Sequence, residues 1–323
     1  MPISKPIIRI MLALFCGSVL AGFPWLVNAY WLYIGSLIFI QILIAMGMSV
    51  LMGYSGQISL GHAAFVAIGA YGTLLLRAEA GWPFLSALLV ASLFGGLIGA
   101  LVGRLGVRLK GPYLAVLTMA FGMACLTLLG RSDGLGQHAG LIAPPLKSIA
   151  FLPYSPTSFY LFLLFLVGLV YVWLSTILGG KIGRALKCIR DQEHLAESVG
   201  ISPTYYKVLA FALSAFLAAL AGGCWMQLLG LAHPDNFTFQ HSVQFLAVVV
   251  LGGMGHIKGA VLGAALFTFI QVQLESQLFD GPSAYFGWIF SGGILILILS
   301  LEPGGLWGLW QKWNRPKPAS RAL

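Results

Sequence analysis

The chain has 323 residues, of which 59% are hydrophobic and only 8% charged, with a formal net charge of +9. So low a charged fraction, about a third of the usual one, excludes an ordinary soluble protein and leaves no room for a sizeable soluble domain. The basic residues are scattered between apolar stretches, so membrane topology accounts for them and no nucleic-acid partner is expected.

Ten apolar segments follow one another, near 8–28, 32–52, 59–76, 84–104, 112–130, 158–178, 206–230, 242–255, 259–274 and 284–300. Roughly 20 apolar residues cross a bilayer as a helix, and the alternation of a barrel strand is missing. The expected fold is all-α, a polytopic transmembrane helical bundle of about 10 spans (8–10), forming a single domain over 1–323. The third, eighth and ninth segments are short and adjoin glycine-rich breaks, which predicts broken or re-entrant helices.

At the start, Lys5 and Arg9 precede the first apolar run, and Val27-Asn28-Ala29 resembles a small-residue cleavage site. The length of the run and the charge distribution favour an uncleaved first helix. Gly95, Gly99 and Gly103 share one face of the fourth segment, a spacing that lets helices approach closely within one subunit. Residues 131–157 are rich in glycine and proline, among them Gly134, Gly136, Gly140, Pro144 and Pro145, and predict turns. Glu302-Pro303-Gly304-Gly305 ends the last segment, and Trp307, Trp310 and Trp313 precede a basic tail, about 302–323, as an interfacial anchor would. Cys16, Cys125 and Cys224 lie in apolar segments and Cys188 in a charged loop, without a CxxC, so neither a metal nor a disulfide is expected.

With the N-terminus in the cytoplasm and alternating spans, 15 of the 18 basic residues fall on the cytoplasmic side. Only Arg77, Arg131 and Lys147 fall on the other. The positive-inside rule therefore puts both termini and the loop of about 180–207 in the cytoplasm.

That loop holds eight of the chain's 27 charged residues. Ala185, Cys188, Ile189, Gln192, Ala196 and Val199 recur at helical spacing, which predicts a short helix lying across the end of the bundle. Gly200 is placed to cap it, and Ser202-Pro203 to start the next helix. No Asp, Glu, Lys or Arg falls near the middle of any segment. Ion-coupled carriers keep titrating groups there, so energy for uphill transport is expected to arrive through the loop, and no catalytic residue is proposed.

Gly183-Arg184-Ala185-Leu186 through Glu197-Ser198-Val199-Gly200-Ile201 resembles the coupling loop of ATP-binding-cassette importer permeases. More narrowly, the chain resembles the branched-chain amino acid permease family, on its LivM-like side. Gly53 to His62, Gly111-Pro112-Tyr113-Leu114-Ala115-Val116-Leu117-Thr118 and Val249 to Gly255 with Gly259 and Gly263 are similar to that family's further motifs, in order. The chain departs from the pattern at Gln244, where an acid is usual, and at Gly130-Arg131-Ser132.

The resemblance implies an importer permease for leucine, isoleucine, valine or related amino acids, with urea or short amides as the alternative and an ion-coupled secondary carrier as the rival class. It implies a bacterial-type inner membrane location and four kinds of partner: two cytoplasmic ATPase subunits, a second homologous permease, an extracytoplasmic solute-binding protein and the lipid bilayer. ATP and magnesium would be used by the ATPase subunits, and no cofactor or metal bound by this chain. Gly183, Arg184, Ala185, Asp191, Ala196, Glu197 and Gly200 would form the ATPase-coupling loop. Unwound backbone at membrane depth is tolerated where it is buried or lines a wet path. Tyr54, Ser55, Gly56, Gln57, Ser59, Gly61, His62, Gly252, Gly253 and Gly255 are therefore the translocation-path candidates.

Overall fold

The computed structural model describes residues 20–109, 111–131, 140–149, 152–277, 292–293 and 305–308. Helix α1, Ala29–Met48, runs on as a π-helical stretch, Ser49–Tyr54. An unwound segment leads to α2, His62–Ala78, then α3, Phe84–Gly106, and α4, Pro112–Arg131. Helix α5, Pro156–Gly179, is followed by two short helices, α6, Lys181–Asp191, and α7, Glu193–Ser198. Then come α8, Pro203–Leu229, α9, Phe239–Gly252, and α10, Ile257–Gln277.

The architecture is all-α and polytopic. Among the described residues, α1 with its π stretch, α3, α4, α5 and α8 are long and apolar enough to cross a membrane. Helices α9 and α10 are bent by 119° at the break between them and would add a sixth span if counted as one. The larger count of about ten depends on two things. It takes α2, with 17 residues, and α9, with 14, as full crossings, although both are short of the ~20 residues a crossing needs. It also includes segments 8–28 and 284–300, which lie largely outside the described residues, as do Gly134, Gly136, Glu302 to Gly304, Trp310 and Trp313.

Helix α8 is the hub, packed on α1, α2 and α3. Of the apolar window in α1 83% is buried and in α8 72%, against 22% in α4 and 28% in α5, which turn most of their surface outward. Between helices in lipid there is no hydrophobic gain, so cohesion must come from close contact. Small residues supply it. A Cβ on Gly95 would lie 2.5 Å from Ala219 Cβ, and one on Gly103 would lie 2.7 Å from Phe211 Cβ. Gly69 and Gly222 likewise bring α2 and α8 into backbone contact, at the carbonyls of Ala219 and Val66.

The connector between α4 and α5 lies at the end away from α6. It contains the strands β1, Leu141–Ile142, β2, Ser148–Ile149, and β3, Leu152–Pro153. Strand β1 pairs antiparallel with β4, Leu231–Ala232, and β2 with β3. Arg77 ties this end together, donating to Gln227 Oε1 at 2.5 Å and to the Pro144 carbonyl at 3.0 Å.

Candidate functional site: two glycine breaks beneath a charged clasp

The first break begins where the π stretch of α1 loses its helical bonding. A π turn followed by unwinding leaves carbonyls without the usual partner four residues on. Ser55 partly repairs the end, its Oγ donating to the Leu51 carbonyl at 2.7 Å. Gly56 then turns the chain at φ +72°, a backbone conformation that suits glycine. The amides beyond it find partners on distant helices. The Leu60 N–H donates to Thr118 Oγ1 on α4 at 3.0 Å, and the Ala63 N–H to Ser242 Oγ on α9 at 2.9 Å. His62 is fully buried, with Nε2 3.3 Å from Ser214 Oγ on α8. Three polar atoms here, Ser49 Oγ, Ser59 Oγ and His62 Nδ1, are buried without a hydrogen-bond partner among the described residues.

The second break, between α9 and α10, is held mainly by backbone contact. Gly252 and Gly259 face each other so closely that a Cβ on either would strike the carbonyl of the other. Gly253 and Gly255 adopt φ of +107° and +81°. Gly305 abuts the Gly253 amide, and the Trp307 ring lies tilted against His256 with ring centroids 6.0 Å apart, so this tryptophan packs on the break.

The two breaks meet. A Cβ placed on Gly53 would fall 2.5 Å from the Gly255 nitrogen. Over this junction lies α6. Arg190 Nη1 donates to the Gly53 carbonyl at 2.6 Å, and the arginine stem lies against Gly56. Asp191 Oδ1 sits 3.1 Å from Arg190 Nη2 and orients the guanidinium. Lys187 Nζ lies 5.0 Å from the centre of the Tyr54 ring. Both cations thus sit at the C-terminal end of the first broken helix, where the helix dipole and orphan carbonyls favour positive charge. The Arg190 side chain is 35% exposed, so its charged hydrogen bond contributes about 1.5 kcal/mol, the low end for such bonds.

The expected single helix over the loop is two. The chain breaks at Gln192, which is extended at φ −154° and ψ 102°. Ala185, Ile189 and Ala196 are buried as the spacing predicts, but Gln192 and Val199 are not, Val199 being 69% exposed. The break rotates α7 against α6, so one helical register does not carry through. Gly200 does cap α7, with φ +80°. The Ile201 N–H reaches the Ala196 carbonyl at 2.9 Å and the Gly200 N–H the Glu197 carbonyl at 3.0 Å, a Schellman closure. Ser202 precedes α8 without a side-chain cap, and Pro203 occupies its first turn.

The coupling-loop candidates divide by position. Gly183 packs against the Leu178 backbone, Ala185 and Ala196 face inward, and Asp191 serves Arg190. Arg184 and Glu197 are exposed and make no ion pair with each other among the described residues. The path candidates are brought together, and Tyr54, Ser55, Gln57, Ser59 and His62 are all buried. Arg190 and the pair Glu193–Lys207 join the site without standing out in the sequence pattern. Lys207 Nζ lies 2.6 Å from Glu193 Oε1, its side chain only 10% exposed, and this pair joins α7 to α8. A signal for Arg190 exists, since it stands four residues after buried Leu186 and seven after Gly183 on the same helical face.

The family described as "Branched-chain amino acid transport system / permease component" matches residues 30–299. The high-affinity branched-chain amino acid transport system permease protein LivM of Escherichia coli is 31% identical, over 88% of this chain and 72% of its own. Its counterpart LivH of Salmonella typhimurium is 25% identical, over 82% and 90%. Among solved structures, PsaBC from Streptococcus pneumoniae in complex with Fab aligns over 90% of this chain and 96% of its own. Its TM-score is 0.50 at 12% identity, a likeness of fold alone.

Proposed function

The chain belongs to the family of branched-chain amino acid transport permease components, and from that premise we propose that it is one half of a two-permease pore in an ATP-binding-cassette importer. Leucine, isoleucine and valine, or related amino acids, are the proposed cargo. The cytoplasmic membrane is the proposed location, with both termini and the α6–α7 loop inside, supported by the 15-to-3 division of basic residues. Two ATPase subunits, a second permease and an extracytoplasmic binding protein complete the assembly, and ATP and magnesium act in the ATPase subunits.

The observation that carries the mechanism is the seat of α6 over the junction of the two breaks. In this reading ATP closes the ATPase pair, which pushes on α6 and α7. The exposed Arg184 and Glu197 hold the docking geometry, Gly200 permits the turn, and the Glu193–Lys207 pair passes the movement to α8. The breaks then rearrange. Their backbone groups, now satisfied by Thr118, Ser242 and Arg190, are of the kind that binds a zwitterion without charged side chains. Gln244, hydrogen-bonded to Gln271 at 2.5 Å, stands where an acid is usual and keeps urea or short amides as the second solute class.

The test is uptake by the reconstituted assembly. Leucine accumulation in liposomes is expected only with ATP and all partners. Transport by this chain alone under an ion gradient would replace the reading with a secondary carrier. Normal uptake in Arg184→Glu, Glu197→Lys and Gly200→Pro variants that still insert would remove the coupling role of the loop.

A further inference from the structure

We propose that Arg190 is a latch that holds the two glycine breaks together and closes the solute path at the loop end of the bundle. The proposal rests on the importer reading above and adds to it a positioning residue and a closed state.

Three features of the site carry it. First, Arg190 is the point where all three segments meet. Its Nη1 bonds the Gly53 carbonyl at 2.6 Å, its stem fills the space over Gly56, and Nη1 lies 3.2 Å from where a Gly255 Cβ would stand. A side chain at 56 would displace the arginine stem, and one at 255 would press on Nη1. Second, the carbonyl it satisfies is one that unwinding has freed, so the bond exists only while the break keeps this shape. Third, α6 and α7 both pack on α8, but their polar attachments differ. Helix α6 grips the breaks through Arg190, whereas α7 grips α8 through Glu193 and Lys207, and extended Gln192 separates the two. Displacement of the loop therefore acts on both attachments at once. Moving α7 carries α8 with it, and tilting α6 draws the guanidinium off Gly53. With the latch withdrawn, the Gly53 carbonyl is open to water, and the buried Ser55 and Gln57 lose their cover.

The arrangement also fits a reversible device. The bond is charge-assisted and so strong, yet with the side chain 35% exposed it keeps contact with water and has a route outward. Asp191 remains beside it to guide its return.

The experiment reads exposure of the break directly. Ser55→Cys is introduced into the chain with its four native cysteines replaced by alanine. The whole importer is assembled in vesicles without ATP, and a membrane-impermeant thiol reagent is added from the side bearing the loop. The thiol at position 55 is expected to react slowly with Arg190 in place. In Arg190→Gln it should react about 10-fold faster, the loss of one charge-assisted hydrogen bond. Arg190→Lys keeps the cation and should stay within about three-fold of the starting rate. Equal rates with Arg190 intact and in Arg190→Gln would overturn the latch. So would a lysine variant as fast as the glutamine one, which would show that side-chain shape and not the charged bond matters. Should the glutamine variant fail to assemble, Asp191→Asn reads the same effect at about three-fold, and an unchanged rate there overturns it. Labelling needs neither ATP nor a known solute. Its failure is therefore distinct from an absence of ATP-driven uptake, which would sink the importer reading alone.

Discussion

The two glycine breaks touch each other, and both press glycine onto backbone, the first where Gly61 meets the Thr118 carbonyl, yet they differ in what else holds them. The first is held by polar side chains from elsewhere, namely Thr118, Ser242 and Arg190, and it contains three buried polar atoms without partners among the described residues. The second is held by glycine backbone pressed on glycine backbone, at Gly252, Gly259 and Gly263. A steric contact of that kind has one geometry. Hydrogen bonds between an unwound backbone and side chains can be exchanged for others of similar strength. On this contrast the second break is expected to hold its shape as the wall of the junction, and the first, with its exchangeable hydrogen bonds, to be the part that moves.

Four substitutions would break or sharpen this contrast. The largest effect is expected at the wall. In Gly259→Val the new branched side chain meets the Gly252 carbonyl with no room to yield, and the assembled protein should lose about 3 kcal/mol or fail to accumulate, read by thermal unfolding in detergent. Next comes Lys207→Met, which strands Glu193 beside α8. The loss should be about 2 kcal/mol, together with ATP hydrolysis that no longer tracks uptake. Thr118→Val removes the acceptor for the Leu60 N–H and should cost about 1–2 kcal/mol, with transport falling more than stability because the first break is the moving one. Equal losses of both would argue that this break too is a fixed wall. The smallest effect belongs to Val199→Ser, exposed at the end of α7. Stability should change by less than about 0.5 kcal/mol, so any defect in assembly with the ATPase subunits would report docking alone.

Much of this was legible in the chain. The apolar segments between 29 and 277 became helices near their expected limits, and the loop stood out by charge. Gly200 capped α7 as read, because a Schellman closure is written within a few residues. Gly95 and Gly103 proved to be close-packing positions, although their partner helix, α8, was not evident from spacing. The register of the loop departs from the single-helix expectation past Gln192, since a break in helical phase leaves no mark in composition. Among eight charged residues, nothing local separates Arg190, turned inward, from Arg184, turned outward, except its distance from Leu186 and Gly183.

What the sequence determined by itself is what local chemistry dictates: an apolar helical membrane protein, glycine where the chain must unwind, and a charged loop facing water. Hydropathy, backbone freedom and short-range capping act within a few residues of their cause. The tertiary structure decided what those pieces do to one another. The amides of the first break are satisfied by residues 58 and 179 positions away, and its freed carbonyl by one 137 positions away. Such pairings exist only once α4, α6 and α9 have packed, because a buried backbone group takes whichever partner the fold brings within reach.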